Sequence, residues 1–285
     1  MRLLPLLVLP LFALSGQERS LASVQNDLDV GPYTVGYRLI HLQDSTRSFG
    51  EPSGTSVSIP RTIQVSLWFP ARVPADGTRM RYRGYIEASS SEADPHLTDS
   101  ESRWAAVEAY SRTALLMGVT PERLSASLDA EARAILGGDP LDERSPVVLY
   151  LPSIGGSPYQ SFLLLEYLAS HGYTVLSIPG VGTHVREQRL DGADLETQLS
   201  DMAFALEWAR GLPWVDVDRI GLVGFSLGGL SAVAFAQDHP EVSAVVSVDG
   251  SIAYRGPPVL REVDRFHPRD MRVPILLLLQ KPSPE

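Results

Sequence analysis

The chain is predicted to be an α/β protein with a mostly parallel central sheet flanked by helices. Apolar runs recur at Val147–Leu151, Tyr173–Ile178, Ile220–Val223, Val242–Val248 and Val273–Leu279, segments of helical spacing separate them, and Gly or Pro marks most junctions. A continuous apolar run is what a strand buried on both faces requires, and strands alternating with helices pair in parallel. With 285 residues, 44% hydrophobic and 20% charged, the chain is long enough to bury one large core. It carries no internal repeat, low-complexity tract or inter-domain linker.

The first element, Met1 to Leu14, has one positive charge followed by an apolar stretch too short to span a bilayer comfortably. Residues 1–22 therefore read as a signal peptide, with cleavage expected after Ser15 or Ala22, and the mature protein as secreted or periplasmic. An uncleaved membrane anchor is the alternative. The domain is expected over 23–285, with a helical insertion at about 87–140. Tyr33–Leu42 and Ile59–Phe69, rich in Val, Ile, Tyr and Trp, are predicted to open the sheet as two antiparallel strands. Glu87–Ser102 is polar and reads as an exposed, mobile loop. Two helices are expected next. The first carries Trp104, Val107, Tyr110, Leu115 and Met117; the second opens at Thr120-Pro121, runs through Leu124, Leu128 and Ile135, and stops at Gly137-Gly138. This block suits either a lid over a site or a layer on the sheet flank. Beyond Val147–Leu151, Ser157-Pro158 opens a helix that ends at His171-Gly172, and Leu195–Arg210 forms another before the strand at Ile220.

The net charge of −10 and the lack of any basic run exclude a nucleic-acid partner, because phosphate binding relies on clustered Lys and Arg. With no Cys there is neither a disulfide framework nor a thiol nucleophile. The chemistry concentrates at Gly224-Phe225-Ser226-Leu227-Gly228, a G-x-S-x-G pentapeptide between an apolar strand and the helical Gly229–Ala236. A serine on so sharp a turn projects its hydroxyl from the sheet edge, which makes Ser226 a candidate nucleophile. An incidental serine in a glycine-rich connection is the bland reading. Acyl transfer further needs a base, a carboxylate to orient it, and two N–H groups for the oxyanion. Leu227 N–H is the first expected donor, and Ile154, in the loop Leu151-Pro152-Ser153-Ile154-Gly155-Gly156, the second. Asp249, ending the strand after the elbow, is the candidate acid ahead of an acid near the C-terminus such as Glu285, although Asp249-Gly250 also suits a plain turn.

Ser226 with Asp249, the segment Leu168-Ala169-Ser170-His171-Gly172-Tyr173, Gly31-Pro32-Tyr33 and Leu67-Trp68-Phe69-Pro70-Ala71 together resemble the platelet-activating factor acetylhydrolase family of α/β-hydrolases. Dienelactone-hydrolase-like proteins are the neighbouring group. The resemblance implies an α/β-hydrolase fold and a secreted serine ester hydrolase acting on carboxylic esters such as short-acyl phospholipids, without metal or cofactor. A small-molecule or lipid ester is then the expected partner, and a lipid one brings peripheral membrane contact. It places the acid at Asp249 and the oxyanion donors at Leu227 and Ile154. Two positions depart from it: Pro152-Ser153 stands where His-Gly is usual, and Phe225 where His is frequent. The base departs further. Triad order is Ser, acid, His, with the His after the last strand, yet only His267 follows Asp249 and it precedes Val273–Leu279. His267 reads as a surface residue, His184 as a solvated loop residue, and His41, His96, His171 and His239 carry no signal. The last strand and the His loop are accordingly expected beyond Glu285. The rival expectation is a non-catalytic α/β-hydrolase-like binding protein that keeps the elbow and lacks the triad His.

Overall fold

The computed structural model describes residues 27–50, 59–72, 77–250, 258–263, 266–267, 269 and 271–279, together with Leu21 and Gln25. The signal peptide expected at 1–22 and the acid weighed at Glu285 lie outside the described residues, apart from Leu21. Strands β1 (Thr34–Phe49) and β2 (Ile59–Arg72) pair antiparallel along most of their length, as their Val, Ile, Tyr and Trp content predicts. After β3 (Arg79–Arg81) come α1 (Tyr82–Ala88), α2 (Ser100–Leu116) and α3 (Pro121–Asp129), then β4 (Glu131–Leu136) and β5 (Asp139–Pro140). The remainder alternates: β6 (Ser145–Leu151), α4 (Phe162–Ser170), β7 (Thr174–Ser177), α5 (Gly192–Ala209), β8 (Val215–Phe225), α6 (Leu227–Asp238), β9 (Val242–Val248) and β10 (Ile275–Leu278).

The sheet order is β10-β9-β8-β6-β7-β2-β1-β4-β3, with β5 paired to β2. Strands β7, β6, β8, β9 and β10 run parallel, and β2 joins them antiparallel through β7. The chain turns back between β7 and β8, so β6 and β8 become neighbours whose following loops leave the same edge in opposite directions. Ligand sites of open parallel sheets form at such a switch point.

Strand side chains alternate between two cores. Leu67, Phe69, Val147 and Leu149 face a cluster completed by α5 and α6, whereas Trp68, Val148 and Tyr150 face one completed by α4 and the α1–α3 block. The block therefore packs on the sheet flank. Tyr82 stacks on Phe162 with ring centroids 4.9 Å apart, and Val107, Tyr110 and Ala114 are the residues by which α2 is buried. Trp104, Leu115 and Met117, named with Val107 and Tyr110 along the same expected helix, are exposed. Three local expectations are corrected. The helix from Pro121 ends at Asp129, and Ile135 belongs to β4, paired with Gly36 of β1. Residues 82–91 are helical and Ser91 and Glu92 are buried, so the loop expected from Glu87 is confined to 92–99, most of which is exposed. Ser157 precedes a 3₁₀ turn, Pro158–Ser161, and makes no side-chain cap. Among the described residues no helix is long and apolar enough to cross a membrane.

Candidate functional site

Ser226 sits at the junction of β8 and α6 with φ 53° and ψ −117°. Only Ser226 and Asp249 among the described non-glycine residues have positive φ. Two close approaches force the turn. A Cβ on Gly224 would lie 2.0 Å from Gly228 O, and one on Gly228 would lie 2.0 Å from Leu151 O. The first absence lets strand and helix close on each other; the second lets the loop after β6 lie against the helix N-terminus. Ser226 N–H donates to Val248 O at 2.8 Å and Gly229 N–H to Ser226 O at 3.0 Å, which fixes the elbow between β9 and the first turn of α6.

That helix presents its positive end to the space beside Ser226. Leu227, its first residue, is buried as a side chain, and its N–H has no intrahelical partner by position. The facing loop spends its amides unevenly. Gly155 N–H donates to Gln188 Oε1 at 3.0 Å and Gly156 N–H to Ser153 O at 2.8 Å. Ile154 N–H has no acceptor among the described residues. Leu151 and Gly224 are directly paired across β6 and β8, so Ile154 and Leu227 leave adjacent strand ends. Asp249 follows β9 beside the elbow strand, Phe225 being paired with Val248, and its N–H donates to Leu278 O at 2.8 Å. All four residues expected at the site thus come to one edge of the sheet.

The histidines do not join them. His41 contacts Gln64, His171 the carbonyl of Tyr167, His184 that of Gly50, and His239 pairs with Glu241. The His267 backbone is clamped by Gln237, near the far end of α6 and roughly 16 Å from Ser226 at 1.5 Å per residue. His96 lies in an exposed loop. Among the described residues no imidazole is hydrogen-bonded to Ser226, and no group of three His, Cys, Asp or Glu could hold a metal ion.

A cavity of about 500 Å³ opens beside the loop after β6. Ile154, Gly155 and Tyr159 form one wall, and Ala105, Ala106 and Ala109 of α2 the other. Hence the α1–α3 block, besides covering the sheet flank, shapes the space next to Ile154. One carboxylate lines this cavity, Glu92, and it is paired with Arg186. Burial raises the Glu92 pKa against the opposing pull of Arg186 and Ser157. Sequence reasoning missed Glu92, Arg186 and Gln188, since no motif marks them and their partners are tens of residues away.

Three comparisons bear on this geometry. The profile of the X-Pro dipeptidyl-peptidase (S15) family matches residues 61–262, which span β2 to the segment past Asp249. A thermostable monoacylglycerol lipase from Bacillus sp. (strain H-257) is 27% identical over 113 residues, 39% of this chain and 43% of the lipase. The solved structure of a ferulic acid esterase from Streptomyces cinnamoneus superposes with a TM-score of 0.58 at 22% identity, covering 88% of this chain and 65% of that one. This chain thus spans less than two thirds of either relative, and the structural likeness speaks for the fold alone. Elbow, sheet order and family profile agree on an α/β-hydrolase fold, and the chain belongs to the X-Pro dipeptidyl-peptidase (S15) family.

Proposed function

We propose that the protein is a serine hydrolase of carboxylic esters working through an acyl-enzyme on Ser226. The observation that carries this reading is Ser226 at a strained elbow, with the N–H groups of Leu227 and Ile154 at adjacent strand ends and without described acceptors. Ser226 Oγ attacks the ester carbonyl carbon, its proton passes to a general base beside Asp249, a role that none of the histidines described above is placed to fill, and the oxyanion forms facing the two amides. Collapse expels the alcohol, which takes that proton. Water then attacks the acyl-enzyme by the same path, releasing the acid and restoring Ser226.

The names of the relatives point to lipase and to dipeptidyl-peptidase activity, and the cavity beside Ile154, although Ser226 does not line it, favours the first. Releasing an N-terminal dipeptide calls for an anion to hold the substrate ammonium. Glu92, the carboxylate that lines the cavity, is already committed to Arg186. An uncharged acyl group beside the three alanines suits the space better. Short-acyl phospholipids, the narrower class implied by the platelet-activating factor acetylhydrolase resemblance, and export by the leader at 1–22 belong to the same proposal.

A second reading, a binding protein without turnover, is favoured by the lack of an imidazole on Ser226 among the described residues. One experiment separates them. Incubation with a fluorophosphonate should label Ser226, and p-nitrophenyl butyrate should be hydrolysed while an X-Pro p-nitroanilide is not. Unlabelled protein that binds the ester saturably supports the binding reading, and faster release from the anilide sinks the ester reading.

A further inference from the structure

The segment after β7 reaches back to the loop that carries Ile154. Gln188 Oε1 accepts from Gly155 N–H at 3.0 Å, and Arg186 Nη1 donates to Gly180 O at 2.9 Å, while Gly180 N–H donates to Gly156 O at 2.8 Å. Gln188 is 7% exposed, and its Nε2 is buried without a partner among the described residues. An amide that satisfies one neighbour and strands its own donor is a poor choice for stability. Only an oxygen can face the Gly155 N–H, so the side-chain orientation is determined. Gly180 makes the approach possible: a Cβ there would lie 2.5 Å from Gln188 Oε1 and 3.1 Å from Gly155 N.

We infer that Gln188 is a positioning residue for the oxyanion site, holding the Ile154–Gly155 peptide so that the Ile154 carbonyl stays turned away from the place that Ile154 N–H would serve. This rests on the ester-hydrolase reading above. Gly155 has φ 60° and no side chain, so nothing local prevents its peptide from rotating. Rotation would turn the Ile154 carbonyl, which repels an oxyanion, toward the place that the amide should serve. Gln188 blocks that rotation by capturing the N–H of the same peptide plane. The helical insertion supports the arrangement at one remove, because Glu92 pairs with Arg186 on the same strap.

The test compares Gln188→Leu, which removes the acceptor at similar volume, with Gln188→Glu, which keeps an oxygen, and with Gly180→Ala, which displaces Gln188 without altering it. With p-nitrophenyl butyrate, Gln188→Leu should lose about 100-fold in kcat with KM little changed, the loss expected of a group misplaced by about 1 Å. Its Tm should fall only slightly, because the stranded Nε2 leaves along with the acceptor of Gly155 N–H and the two changes offset each other. Gln188→Glu should stay within several-fold of the parent and Gly180→Ala should resemble Gln188→Leu. Retained kcat in Gln188→Leu, a loss that only tracks Tm, or a Gln188→Glu as impaired as Gln188→Leu would overturn the inference. If Gln188→Leu does not fold, the contrast of Gln188→Glu with Gly180→Ala decides. A parent protein that neither turns over ester nor takes up phosphonate overturns the ester reading itself, and with it this role.

Discussion

Replacing Gly228 by alanine tests whether the close approach of α6 to the loop after β6 builds the site. The added methyl would stand 2.0 Å from Leu151 O, 2.5 Å from Leu151 C and 2.5 Å from Pro152 O, all backbone atoms, whereas real Cβ atoms essentially never come within 3.0 Å. No side chain can swing aside, so the loop or the first turn of α6 must shift by about 1 Å. The two N–H groups separate by the same amount, and a 1 Å misplacement costs about 100-fold in rate. Overpacking of this kind destabilises by about 1–3 kcal/mol, which lowers Tm by roughly 2–4 °C per kcal/mol in a domain of this size.

Gly221→Ala, in the same strand β8, is the control, because its Cβ would meet nothing within 4 Å. Alanine is favoured over glycine in a strand interior by roughly 0.5–1 kcal/mol, so this variant should be as stable as the parent or slightly more so, and fully active. Steady-state kinetics on p-nitrophenyl butyrate with parallel thermal unfolding reads both. Gly228→Ala with parental kcat would refute the reasoning, and so would a Gly221→Ala as damaged as Gly228→Ala.

Two further substitutions probe the elbow and its support. Ser226→Gly relieves a backbone conformation that costs a serine about 1–3 kcal/mol, so it should raise the midpoint of urea unfolding while abolishing phosphonate labelling; a destabilised variant would mean that the elbow is not strained. Burial alone would raise the Asp194 carboxyl, but hydrogen bonds from Thr183 Oγ1, Arg189 N–H and Thr183 N–H outweigh it and hold it below the ordinary value. Its stabilisation is present above the unfolded Asp pKa near ~3.9 and is lost as pH falls through the lower folded value. Asp194→Asn should therefore cost about 1.5–3 kcal/mol at pH 7 and shrink that cost in acid; an equal cost at pH 7 and pH 2.5 in urea titrations would exclude the charge as the cause.

What could be read from the sequence was what short-range pattern encodes. The elbow is a strand, a turn and a helix within about twenty residues, and Gly224 is required by a contact inside it, so the placement of Ser226, Leu227 and the neighbouring Asp249 at one sheet edge was legible, whereas the contact of Gly228 with Leu151 was not. The first two strands announce themselves by β-branched and aromatic content, and the five parallel ones by continuous apolar runs. Glu131–Leu136 did not, because Glu-Ala-Arg-Ala-Ile-Leu has good helix formers at helical spacing, and pairing to β1 and β3 overrides that preference. Ser89-Ser90-Ser91-Glu92 reads as solvated loop for a similar reason. Ser91 Oγ finds Gln64 Oε1 at 2.8 Å and Glu92 finds Arg186, partners 27 and 94 positions away that no local window contains.

The buried ion pair beneath the strap shows how remote such support extends. Arg61 of β2 is 2% exposed and grips Asp201 of α5 through two hydrogen bonds of 2.7 and 2.6 Å. A buried pair of this kind is a weak stabiliser by itself, since well-packed apolar residues often do as well. Arg61 has a second task that no apolar residue could take over. Its remaining N–H groups donate to Gly182 O at 3.0 Å and Val181 O at 3.2 Å, at the start of the segment that carries Arg186 and Gln188. Asp201, which Arg47 also contacts at 2.9 Å, offsets the guanidinium charge, and the guanidinium satisfies carbonyls of a chain leaving the sheet edge. The pair is therefore best understood as the anchor of the strap: β2 and α5 hold residues 181–182, and residues 186–188 hold the loop after β6. The elbow serine is held by β9 and its turn lies against the loop after β6, and the Gly155 N–H of that loop is held in turn by a chain of contacts that begins at Arg61.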